Sequence, residues 1–129
     1  MSALDELRRR IDVIEKGYEY LLAYAAQGRQ DDQGSDARRT LSDMHAALEG
    51  LGELAATAAA GGGAAADVQP FLDALGNDAR VARGAIALVL SRAKIPSLLV
   101  DNLNASVHVR ALLTDLFLID QALKTAPAA

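Results

Sequence analysis

The chain has no cysteine among its 129 residues, so it can form no disulfide and offers no thiolate as nucleophile or metal ligand. That absence fits a reducing compartment, and a cytoplasmic location is expected. Tryptophan is also missing, and aromatic residues make up only 4% of the chain. With a hydrophobic fraction of 51%, which argues against disorder, the core must be built from Leu, Ala, Val and Ile. There is no basic excess: the formal charge is -4, which opposes nonspecific nucleic-acid binding. No run of about 18 uncharged apolar residues exists, so no membrane span is expected, and charges from Asp5 onward leave no signal-peptide core. Nothing alternates with the period of a strand.

What is present is helical periodicity, and the stretch Ser97 to Leu123 organises the rest. Wound at ~100° per residue, it keeps one polar edge of Ser97, Asp101, Asn104, His108 and Asp115. Leu98, Leu99, Val109, Leu113, Leu116 and Phe117 lie on one flank, and Val100, Leu103, Val107 and Leu118 on the other. A helix this apolar needs partners on two sides. Leu4, Leu7, Ile11, Ile14, Tyr18, Leu21 and Ala25 form a heptad seam near the start, with a second row of Val13, Gly17, Tyr20 and Tyr24 beside it. Gln27 to Ser35 reads as a loop. A second seam runs through Leu41, Met44, Leu48, Leu51, Ala55 and Ala58, interrupted by Gly50 and Gly52, which imply close packing, a kink or a local break. Gly61, Gly62 and Gly63 mark the clearest break. Asp67 is the expected cap of a third helix, whose seam is Val68, Phe71, Leu75, Ala79, Ala82, Ile86 and Val89. The predicted fold is all-α: one domain, an antiparallel up-down four-helix bundle with helices at about 3–27, 36–60, 68–93 and 97–124 and a flexible Gly/Ala loop at 61–66.

Few residues point to chemistry. His45, Glu49 and Glu53 fall at four-residue steps on the predicted second helix and are the candidates for half a metal site, but the Glu-x-x-His pairs of metal-binding bundles are absent. His45 is also the candidate for phosphoryl transfer. There the sequence HAALEG places Glu49 where a cation is needed, and a carboxylate beside a phosphohistidine is electrostatically unfavourable. The triple glycine lacks the Lys and Ser or Thr of a phosphate-cradling loop. Arg8, Arg9 and Arg10 alternate with Asp5, Glu6 and Asp12 and read as a solvated helix face. Arg110 falls inside an apolar arc and needs a partner.

Surplus apolar surface on the first and fourth helices leads to the functional expectation: a non-catalytic accessory or adaptor protein of bacterial type, acting by self-association, as a homodimer, and by binding a protein partner. The expected interface residues are Val13, Gly17, Tyr20, Tyr24, Val100, Val107, Arg110 and Leu118. No cofactor and no metal are expected. The alternatives are His45 phosphotransfer and a bundle that holds a metal or an apolar ligand.

Overall fold

Ser2 caps the start of the first helix. Its hydroxyl accepts the Asp5 backbone N–H at 3.0 Å, and Asp5 and Glu6 place negative charge at the positive end of the helix dipole. In the computed structural model, which describes residues 2–127, this helix is α1, Ala3–Ala25. It buries Leu7, Ile11, Ile14, Gly17, Leu21 and Tyr24, four members of the heptad seam together with two of the neighbouring row, while Leu4, Tyr18 and Ala25 of the seam are half-buried.

Five more α-helices follow among the described residues: α2 (Ala37–Leu48), α3 (Leu51–Gly61), α4 (Gln69–Leu90), α5 (Ser97–Ala105) and α6 (His108–Leu123). The class is all-helical, but there are six helices rather than the predicted four, because the second and fourth predicted helices are each broken. The first break is at Glu49–Gly50. Glu49 is extended and Gly50 has φ +63°, the left-handed region that glycine enters without a Cβ clash. The Arg10 guanidinium donates to the Glu49 carbonyl, so the opened turn does not leave that oxygen unpaired.

The second break, at Ser106–Val107, has no glycine. Ser106 Oγ donates to the Leu103 carbonyl at 2.6 Å, a local bond that competes with continuation of the helix. Val107 then takes φ +59°, a conformation that costs a β-branched residue roughly 1–2 kcal/mol. Val107→Asn is therefore expected to stabilise the fold by about 1 kcal/mol in urea unfolding, because Asn tolerates this backbone and the valine side chain is 48% exposed. A destabilised variant would mean that the valine packs more than it strains.

Two terminal details also differ from expectation. Val68, not Asp67, occupies the N-cap position of α4 and makes no side-chain cap, while Asp67 lies in a 3₁₀ turn, Ala66–Val68. Helix α4 stops at Leu90 instead of residue 93 because Arg38 collects the carbonyls of Leu90, Arg92 and Ala93 at 3.1, 2.9 and 3.3 Å. These are the oxygens that a helix end leaves without partners.

Helix α1 packs on α2, α3 and α5 and more lightly on α6, while α4 packs on α2, α3 and α6; α1 and α4 make no comparable contact with each other among the described residues. The chain reverses between α4 and α6, since Leu123 at the end of α6 lies against Gly62, just ahead of α4. Between α3 and α4 the backbones nearly touch: a Cβ added to Gly52 would sit 2.9 Å from Gly76 Cα. The expected metal face disappears with the first break, because Glu49 is outside both helices and no longer stacks between His45 and Glu53.

Candidate functional site

The row predicted to face a partner is largely used inside the chain. Tyr24 is fully buried. Its hydroxyl donates to the Ile95 carbonyl at 2.6 Å and lies 3.1 Å from the Asp31 carbonyl. Ser97 Oγ donates to the Tyr24 carbonyl at 2.8 Å and accepts the Arg29 N–H at 2.9 Å, so the phenol sits in a knot between the α1–α2 loop and the α4–α5 connection. Gly17 is buried beneath Met44: a Cβ there would be 2.5 Å from Met44 Cγ and Sδ. Tyr20 and Val13 are half-buried against the core, and the Tyr20 hydroxyl accepts the Asp36 N–H at 3.1 Å. Val100 is fully buried. These positions fill the chain's own interior, which a seam read from sequence cannot distinguish from an interface.

Val107, Arg110 and Leu118 remain on the surface. Arg110 is exposed, because the break turns α6 so that its buried side is Val109, Leu112, Leu113, Leu116 and Ile119. Leu118 is 60% exposed. Two further apolar residues that the sequence pattern did not single out are exposed on α4, which packs against α6: Val81 and Leu88, at 39% and 65% exposure. They are seven residues apart and hence on one face, about 100° round the helix from the Leu75–Ala82–Val89 seam. That spacing was the available signal, obscured by the polar residues around it.

Between these apolar positions lies the most unusual polar feature of the molecule. Asp115 of α6 meets Asp78 of α4, and Asp115 Oδ2 is enclosed with no hydrogen-bond donor. Val81 follows Asp78 by three positions and Leu118 follows Asp115 by three, so apolar side chains flank the pair. Burial first, and the Asp78 carboxylate second, push the Asp115 carboxyl up to about 7. Two carboxylates can bond to each other only when one carries a proton, so the pair holds one proton between them near neutrality. The folded state binds this proton more tightly than an unfolded chain, in which Asp titrates near 3.8. Stability therefore rises as pH falls from about 7 toward 4, and the repulsion is fully present above 7.

Other charged groups are compensated. Arg9, with Arg10 behind it, holds the Glu6 carboxyl down to about 2, and the ion pairs are 2.7 and 2.9 Å long. Asp120 takes both Arg8 at 2.8 Å and Lys124 at 3.1 Å, and these two cations hold its carboxyl low against the opposing effect of burial.

Protein-family models, curated proteins and solved structures all yield no match to this chain. His45 is half-buried in the last turn of α2, where its carbonyl accepts from Arg83 Nε at 3.3 Å, and Arg83 also approaches Glu49 at 3.9 Å. Among the described residues no three His, Cys, Asp or Glu side chains gather as metal ligands, and no helix is long and apolar enough to cross a membrane. The Asp78–Asp115 pair can store and release a proton. Nothing beside it among the described residues supplies a third acidic or imidazole group.

Proposed function

We propose that this is a non-catalytic helical adaptor that works by docking to other protein surfaces, including a second copy of itself, through the outer face of α4 and α6. The observation that carries the reading is the exposure of Val81, Leu88 and Leu118 on two helices that pack side by side. Large apolar side chains exposed on neighbouring elements favour association. The fold behind this face is read as a four-rod bundle in which α2–α3 and α5–α6 are broken rods and α1 and α4 are diagonal. The cysteine-free composition suits action in the cytoplasm.

Sedimentation over a range of concentrations tests the reading. The native chain should dimerise, and the double variant Leu88→Glu, Leu118→Glu should remain monomeric. Its stability should stay within about 0.5 kcal/mol, because both side chains are exposed. A native chain that is monomeric throughout removes self-association, and a double variant that associates normally removes this face.

A further inference from the structure

We propose that Asp78 and Asp115 form a proton-operated latch on the α4–α6 seam: a shared proton closes the seam, and its loss loosens α6 from α4 about a pivot at Val107. This rests on the two carboxylates and the break between α5 and α6, and it holds whatever the face docks to.

The geometry has three parts. Asp115 on α6 and Asp78 on α4 meet where the two helices pack, with Asp115 Oδ2 enclosed, and a hydrogen bond between the carboxyls exists only while one proton remains. Without it, Asp115 Oδ2 is enclosed, charged and lacking a donor, which is the costly condition for a buried polar atom. Second, no cation compensates. Of the elements packed on α6, α4 supplies Asp78, α1 supplies Arg8, which is held by Asp120, and α5 supplies Asp101, which is exposed. On α6 itself His108 and Arg110 are exposed, Lys124 just beyond it pairs with Asp120, and Asp78 is the charged group that acts on Asp115. Third, α6 is joined to α5 through one strained, half-exposed residue. Val107 makes one backbone hydrogen bond into each neighbour, its N–H to the Asn104 carbonyl at 3.1 Å and its carbonyl to the Ala111 N–H at 2.8 Å, at the point where φ +59° breaks the continuous helix. A helix hinged at one end and repelled at its middle separates more readily than one continuous with its predecessor.

Opening the seam exposes Leu112 and Leu116, both fully buried when it is closed, beside Val81 and Leu118. Proton release thereby enlarges the apolar face.

Hydrogen exchange on the whole chain at pH 5.5 and 8.5, corrected for the intrinsic pH dependence of exchange, reads the latch directly. Relative to the Leu7–Leu21 amides of α1, the Ala111–Leu123 amides should exchange roughly tenfold faster at the higher pH. Asp115→Asn should abolish that difference and Asp78→Asn should reduce it, since burial still acts on Asp115, whereas Asp120→Asn should keep it. If the Asn variants fail to fold, the carboxyl carbon shift of Asp115 in the native chain still decides, since it should titrate near neutrality. An α6-to-α1 ratio that does not change with pH, a pH response that survives both Asn variants, or an Asp115 that titrates as an ordinary carboxyl would overturn the latch.

Discussion

Replacing Tyr24 by Ala is expected to destabilise the protein by about 3–5 kcal/mol, the scale for truncating a large aromatic ring in a core. The side chain is fully buried, stacks against Tyr20 with ring centroids 6.1 Å apart, and lies under the Arg29 guanidinium at 5.8 Å. Its removal leaves a cavity where the α1–α2 loop meets the α4–α5 connection. Tyr24→Phe isolates the hydroxyl. That variant should lose about 1–2 kcal/mol, because the Ile95 carbonyl then sits in a buried position without its donor. Urea unfolding at several protein concentrations separates this role from an interfacial one. The loss should not depend on concentration, since the tyrosine's partners all belong to its own chain. A loss below about 1 kcal/mol for the Ala variant would show that the knot does not hold the fold.

The second large effect is an asymmetry between two glycines in contact. Gly52→Ala should cost about 1–3 kcal/mol, because the new methyl would lie 2.9 Å from the Gly76 Cα, and backbone cannot swing aside as a side chain can. Gly76→Ala should be neutral or stabilising by up to about 1 kcal/mol. Its methyl would meet Gly52 Cα and Arg80 Nη1 at 3.6 Å, ordinary contact distances, and alanine is the better helix former. Thermal melts of both variants suffice. Equal losses would mean that α3 and α4 are not held at this separation.

The helical class and the cores of α1 and α4 were legible because a heptad repeat requires only local sequence. The seam Leu7, Ile11, Ile14, Leu21 is buried as its spacing predicts, and so is Leu75, Ala79, Ala82, Ile86, Val89. The two breaks were unequal in this respect. Gly50 carried an ambiguous signal, since glycine permits a left-handed residue without demanding it. Val107 carried none, because valine is among the residues least suited to φ +59° and only the surrounding tertiary structure can impose it. Gly17, Tyr24 and Val100, expected at an interface, are buried within their own chain for a related reason: periodicity shows which face is apolar but not whether the same chain covers it. Asp78 and Asp115 were invisible as a pair. Their meeting depends on the register of α4 against α6, across 36 intervening residues, and each alone resembles an ordinary solvated carboxylate.

The polar ties between elements are not spread evenly along the molecule. Asp32 accepts the Ile95 N–H at 2.9 Å and Arg38 Nε at 3.1 Å; Arg38 caps α4; Tyr24, Ser97 and Arg29 close the same cluster. All of them lie where α1 ends, α2 begins, α4 ends and α5 begins. At the opposite end, Gly62 and Gly63 meet Leu123 and Pro127 through side-chain carbon atoms, and the polar tie is the partly exposed Arg8–Asp120 ion pair at 2.8 Å. The molecule thus has a fastened pole and a loosely fastened one. Thermal fraying should begin at the glycine turn and the end of α6 and travel toward the tyrosine, so the last structure lost on heating is a junction of connecting segments rather than the middle of any helix.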